Sequence, residues 1–505
     1  GYRVSPISKK ENNSCSQDGF HQLDTSMKAF PCFGIYLQRG IVKDTSMSGF
    51  KAFEIKMRTA GMGDAAVAVF KRNYEALERN ETGMIPEDTI EPARDLPKAA
   101  ELRDGKGMDR LGEVAIIKLN GGLGTGMGLQ GPKSLLDVRE GINFLDLMVR
   151  QTLSLREKSD TKVPLVLMNS FSTSEDTLAH LQKYQAEGLA SADEVEMMQN
   201  MIPKIDAKTL KPVEWRADPD QEWCPPGHGD VYPALVGSGW LDRLLGQGVK
   251  YAFVSNSDNL GAVLDPALLD FFAESGAPFM MEVTRRTAAD KKGGHLAKRK
   301  SDGRLLLREV AQCPDDDLDE FQNIDKHQYF NTNSLWLNLE KLKAQLAADS
   351  GVLPLPMIKN KKTVDPRDPS STPVFQLEIA MGSAIECFEG ALALETPRSR
   401  FAPVKTTADL LALRSDAYEV LEDGQVLLRE ERNGVPPDIS LSSEYKLVDS
   451  LEGLGVPSLI HCRSLKISGL HRFESGVVIE GDVAFENANA ECKSIPAGTY
   501  KDGSY

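Results

Sequence analysis

Between residues 121 and 131 the chain carries six glycines, at 121, 122, 124, 126, 128 and 131, followed by Pro132, Lys133 and Ser134. Glycine lets the backbone enter conformations closed to other residues and come close to a ligand. Successive backbone N–H groups can then converge on one concavity and bind phosphate. Six glycines in eleven residues, directly after the apolar run 114–119, exceed what a plain turn requires. Lys133 follows this loop, where its ammonium can reach a phosphate lying on it. A Walker A loop requires Lys immediately after Gly, but here Pro132 intervenes. A Rossmann-type spacing exists at Gly126, Gly128 and Gly131. It lies several residues past the strand, however, and Gln151 stands about twenty residues on, where an acidic ribose ligand belongs. The loop therefore predicts phosphate binding without matching either common class.

The elements that must position this loop form a repeating pattern. From 113 to about 405, short apolar runs alternate with helical stretches. Strands are expected at 114–119, 163–168, 251–255 and 279–284, and helices at 176–187 and 234–246. Such alternation predicts an α/β fold built on a doubly wound mixed sheet. Ligands bind such sheets beyond the carboxyl ends of the strands, and those ends carry Asn169-Ser170 and Asn256-Ser257-Asp258-Asn259. Apolar residues recurring at three-to-four spacing from Phe50 to Arg79 predict a small N-terminal helical unit. Pro86, Pro92 and Pro97 mark a linker after it. Beyond about 455, short β-like runs separated by Gly469, Gly476 and Gly481 suggest either a few turns of β-helix or an ordinary small sheet. Residues 1–46 lack periodicity and predict a disordered extension. The expected division is thus 1–46, 47–100 (helical), 101–418 (catalytic) and 419–505 (C-terminal).

Composition bounds the function. The 505 residues are 41% apolar and 26% charged, with a formal charge of -15. That charge gives no field to attract duplex DNA, but a local basic cluster can still hold a nucleotide. Seven scattered cysteines with no C-x-x-C pair suggest reduced thiols in a cytoplasmic setting. No apolar run approaches the roughly 18 residues that span a bilayer, so no membrane role is expected.

The segment Lys118-Leu119-Asn120-Gly121-Gly122-Leu123-Gly124-Thr125-Gly126-Met127-Gly128, with Lys133-Ser134, resembles the signature of the nucleotide-sugar pyrophosphorylases. Within them it is similar to the eukaryotic UDP-glucose pyrophosphorylase form. Sister families usually carry Arg after the Gly-Thr step, where this chain has Gly126-Met127. Further blocks in the same order strengthen the resemblance: Gln199 to Lys204, Pro226 to Asp230, Ser255 to Gly261, Lys291 to His295, Phe330 to Asn333, Phe375 to Glu378 and Arg398 to Lys405.

The resemblance implies the reaction UTP + glucose 1-phosphate ⇌ UDP-glucose + pyrophosphate, with Mg2+ as cofactor. It implies catalytic roles for Lys133, Asp258 and Lys405, with Asp258 as the Mg2+ ligand; an Asp at a strand end can also be a simple helix cap. UTP contacts carry over to Leu119, Asn120, Gly121, Gly122, Lys133, Gln199, Gly227, Asp258 and Lys405. Substrate contacts carry over to His228, Asn256, Ser257 and Asp258, and sugar hydroxyl candidates are Glu282, His295, Asn333, Gln376 and Glu378. The acidic run Asp315-Asp316-Asp317 reads as an exposed loop rather than a metal site. A left-handed β-helix tail and a monomeric state are also implied, the tail being an alternative assembly surface. Two rivals stand beside this reading: a pyrophosphorylase of broader sugar range, and a catalytically silent nucleotide sensor or assembly protein.

Overall fold

In the strand Val114–Asn120 every residue is buried, because side chains alternate to two covered faces of one sheet. Ala115, Ile117 and Leu119 join one apolar cluster, and Val114 and Ile116 join another. Helices Val231–Gly237, Trp240–Gly246 and Leu339–Ala348 cover the first face; Phe144–Ser159 and Pro266–Ser275 cover the second. This is a computed structural model, and it describes residues 49–505 except 104 and 140. The expected extension at 1–46 lies outside the described residues.

The sheet has ten strands and is mixed. Glu196–Met198, Leu165–Asn169, Val114–Asn120 and Tyr251–Asn256 are adjacent and parallel. Tyr329–Asn338 then runs antiparallel to Tyr251–Asn256 and to Phe279–Arg285. His295–Arg299, Leu305–Arg308 and Ile90–Pro92 continue antiparallel, and Leu392–Glu395 lies parallel to Phe279–Arg285. The four expected strands are present, each ending one residue later than anticipated.

Three expected helices are interrupted, each for a local reason. The 50–79 stretch is two helices, Gly49–Thr59 and Asp64–Glu78, parted at Gly61, whose φ of 81° breaks the helix. The 234–246 stretch divides into Val231–Gly237 and Trp240–Gly246 at Gly239 (φ 77°). The 176–187 stretch is the helix Ser174–Leu181 continuing as a 3-10 segment, Gln182–Glu187, with a kink at Tyr184.

The paired N-terminal helices pack Phe53, Met57, Phe70 and Tyr74 against Ile205, Met357 and Leu377 of a small three-stranded sheet. In the C-terminal segment Asp438–Leu441, Ser458–Ser468, Val477–Glu486 and Gly498–Ser504 stack as a parallel sheet, beside a second parallel pair, His471–Phe473 and Lys493–Ile495. Inward Leu465, Ile467, Ile479, Val483 and Phe485 fill the space between them. No described helix is long and apolar enough to cross a membrane.

Candidate active site

The Gly-rich loop leaves the buried strand at Asn120 and folds back on itself. The Lys133 N–H donates to Gly122 O at 3.0 Å, and the Ser170 hydroxyl donates to Gly121 O at 3.0 Å. Gly124 and Gly128 have φ of 63° and 83°, so this turn requires glycine at both. A Cβ at Gly121 would collide with the side-chain oxygen of Gln199, whereas one at Gly122 would meet open space. Gln199 is buried and tied by its N–H to Asn169 O at 2.7 Å. The loop, the end of Leu165–Asn169 and Gln199 thus form one wall.

Opposite that wall, Tyr251–Asn256 delivers Ser257 and Asp258. The Ser257 N–H donates to Leu119 O at 3.2 Å, which fixes this strand end beside the loop. Lys133 Nζ lies 2.7 Å from Asp258 Oδ2, with both side chains partly exposed. Asp258 Oδ1 is buried and has no partner. An oxygen in that state costs free energy unless a ligand uses it. Mg2+ takes oxygen ligands, keeps several waters and needs only one or two carboxylates, so Asp258 fits such an ion. No cluster of three or more metal-ligating side chains exists among the described residues.

Gly227 (φ 83°) is pressed against the backbone of Ile379 and leads into His228. His228 Nδ1 accepts from the Met381 N–H at 3.0 Å, which places the ring proton on Nε2. Burial, with the charge of Lys405 adding to it, lowers its pKa to about 4. His228 is therefore neutral at physiological pH. Lys405 itself is exposed, and its charge also bears on Glu309, whose pKa burial raises. Lys405 sits on the rim of a cavity of about 650 Å³ lined by Phe330, Phe401 and the 436–439 segment.

The sugar candidates separate. Asn333 sits where Tyr329–Asn338 bulges against Glu282 and Val283, in the left-handed region at φ 57°. Its side-chain oxygen accepts from Asn331 Nδ2 at 2.8 Å. Such strained bulge residues gather at functional sites. Glu378, on Pro373–Ile379, is half-buried beside Gly227, and desolvation raises its pKa; Gln376 shares that strand.

Glu282 instead lies wholly inside. Both carboxylate oxygens accept from Arg400, at 2.7 and 2.9 Å, and Oε1 also accepts from Trp336 Nε1 at 2.9 Å. His295 is equally enclosed, stacked on His327 at 3.9 Å between ring centres, and burial holds its pKa well below 6.5. The Asn120 side chain is buried against Asn169 and Thr177, leaving only its backbone near the loop. Met127 is buried in an apolar cluster with Leu136, Leu260 and Val404. Asp317, expected in an exposed acidic loop, accepts from buried Arg308 at 3.0 Å.

Sequence reasoning missed two buried ionisable groups beneath the site. Lys118 Nζ donates to Ser255 Oγ (2.8 Å) and Ala262 O (2.6 Å), and burial lowers its pKa to about 7. A lone lysine among the Val, Ala, Ile and Leu residues of 114–119 was the available signal. Asp230 accepts from the backbone and side chain of Asn200, and burial raises its pKa to about 7.

A glycine loop and a Lys–Asp pair thus meet at adjacent strand ends of a mixed α/β sheet, where ligands of such sheets bind. Comparison with known proteins is specific. The sequence model of the UTP–glucose-1-phosphate uridylyltransferase family matches residues 65–480, and the chain belongs to that family of enzymes. Uridylyltransferases of this name from Solanum tuberosum and Saccharomyces cerevisiae are 41% and 42% identical to it. The matches cover 82% and 78% of this chain, and 84% and 77% of theirs. Among solved structures, a Trypanosoma brucei UDP-glucose phosphorylase superposes with a TM-score of 0.83 at 48% identity, over 90% of this chain and 99% of its own. A Leishmania major UDP-glucose pyrophosphorylase variant, in complex with UDP-glucose, gives a TM-score of 0.85 at 43% identity, over 91% and 99%.

Proposed function

We propose that the chain transfers UMP from UTP to glucose 1-phosphate, giving UDP-glucose and pyrophosphate, reversibly. The observation that carries this reading is the Lys133–Asp258 pair beside the Gly-rich loop, with Asp258 Oδ1 left unpartnered. Membership of the family supports the substrates, since the relatives carry that activity in their names.

A phosphate oxygen of glucose 1-phosphate attacks the α-phosphorus of UTP in line. The new P–O bond forms as the bond to the β-phosphate bridging oxygen breaks, and pyrophosphate leaves with that electron pair. The second pKa of a phosphate monoester is about 6, so the attacking group is already dianionic and needs no general base. The neutral state of His228 suits a hydrogen-bond donor through Nε2 rather than a base. Catalysis is then positioning and charge neutralisation. Lys133 neutralises charge at the α-phosphate, and Lys405 holds the departing pyrophosphate from the opposite loop. Mg2+, when bound, would neutralise phosphate charge, and Asp258 would hold it through Oδ1. Gln199, with Leu119 and the backbone of residues 120–122, faces the uridine side, and Gly227 lets His228 approach. Asn256 and Ser257 line the UDP-sugar. Asn333 and Glu378 bond glucose hydroxyls.

The same reading takes 47–100 as a helical unit, 101–418 as the catalytic domain and 419–505 as a C-terminal domain with a left-handed β-helix, in a cytoplasmic monomer. The deciding experiment is pyrophosphate release with UTP and Mg2+, comparing the 1-phosphates of glucose, galactose and N-acetylglucosamine. Release with glucose 1-phosphate and little with the others is expected. No release with any sugar phosphate would sink the proposal, and equal release with all would establish a broader enzyme.

A further inference from the structure

The two loops that carry Asp258 and Lys405 come from distant parts of the chain, yet they are joined along one seam in which the Asn259 side chain makes the most bonds. Asn259 is almost wholly buried. Its amide Nδ2 donates to Arg400 O at 3.1 Å, and its Oδ1 accepts from the Ala402 N–H at 2.9 Å and the Gly261 N–H at 3.2 Å. Asn259 also pairs with Pro403 as an isolated antiparallel bridge, and the Val404 N–H donates to Asp258 O at 3.0 Å. A Cβ at Gly261 would collide with the backbone of Ser399 and Arg400. Beneath this seam the Arg400 guanidinium binds Glu282 and Val263 O. Lys405 is the first residue past the seam, and Asp258 is the residue before Asn259.

From this geometry we infer that Asn259 is a positioning residue that sets where Lys405 stands relative to the Lys133–Asp258 pair. Its amide uses donor and acceptor at once, so it fixes both the separation and the register of the two loops. An aspartate of the same shape would keep the two accepted bonds but turn an oxygen on Arg400 O. A serine would be too short to span the seam. The inference rests on the proposed role of Lys405.

The test is a double-mutant cycle on the full chain, reading kcat and KM in the pyrophosphate assay together with Tm. A misplacement near 1 Å can cost about 100-fold, so Asn259→Ala is expected to lower kcat about 10- to 100-fold, with KM for glucose 1-phosphate changing by less than about threefold. In a Lys405→Ala background the same change should cost less than about threefold more, because coupled residues are not additive. If Asn259→Ala fails to fold, Asn259→Asp carries the same cycle. Losses that multiply independently, or a lowered Tm with normal kcat, would overturn the inference alone. Near-normal turnover of Lys405→Ala by itself would overturn the role of Lys405 and the inference with it.

Discussion

The parallel and antiparallel halves of the sheet place the polar residues of the site motifs differently, although Lys118 and Ser255 are buried inside strands of the parallel half as well. In the parallel half, polar residues follow the strands: the loop after Asn120, Ser170 after Asn169, and Ser257 and Asp258 after Asn256. There the chain has left the ladder, and side chains point beyond the sheet. In the antiparallel half, the polar residues of comparable motifs lie within strands. Glu282 sits inside Phe279–Arg285 and His295 begins His295–Arg299, so pleating turns them into the interior. Asn333 escapes this fate because the strand bulges there. A polar residue just past the carboxyl end of a parallel strand is thus a candidate for chemistry, and one within the ladder is more often a buried partner.

Breaking this contrast is most direct at Glu282. Glu282→Ala strands the Arg400 guanidinium and Trp336 Nε1, and should destabilise the protein by about 3–5 kcal/mol, read as a shift in the urea midpoint. A rise in KM for glucose 1-phosphate at unchanged stability would instead make Glu282 a sugar ligand. Lys133→Ala should do the reverse, lowering kcat by about 10²–10³, or roughly 2.7–4 kcal/mol of barrier, with the melting temperature held. Near-normal turnover would remove Lys133 from the chemistry.

Lys118 sharpens the contrast through pH. Its folded pKa is lowered from 10.5 to about 7, so between these values the unfolded chain holds a proton that the folded chain has released. Raising pH through that window therefore favours folding, at a slope up to about 1.4 kcal/mol per pH unit, and the full penalty stands below pH 7. Denaturant unfolding from pH 7 to 10 should show this rise in the parent and a flatter curve in Lys118→Met; parallel curves would refute it. The smallest effect is expected at Asn333. Asn333→Gly keeps the backbone at φ 57° but deletes the side chain. A lost hydrogen bond of about 0.5–1.5 kcal/mol should raise KM for glucose 1-phosphate about three- to tenfold with Tm unchanged. An unaltered KM would leave Glu378 as the stronger sugar candidate.

Local sequence determined a good deal by itself. Buried strands read as apolar runs, and the six glycines after one of them read as a turn that needs glycine, as the positive φ of Gly124 and Gly128 shows, because both signals are written in consecutive residues. The displaced Lys133 excluded a Walker A loop for the same reason. Helix breaks at Gly61 and Gly239 were less legible, since glycine is tolerated in many helices and only the observed positive φ shows a stop. Tertiary structure alone decided the rest. It set Lys133 against Asp258 across 125 residues, gave Glu282 to Arg400 across 118, and joined Asn259 to the loop before Lys405. A carboxylate or amide has the same formula on a surface, in a core or in a cleft. What it does depends on which partner the fold brings within about 3 Å, and that distance is not written in the order of the residues.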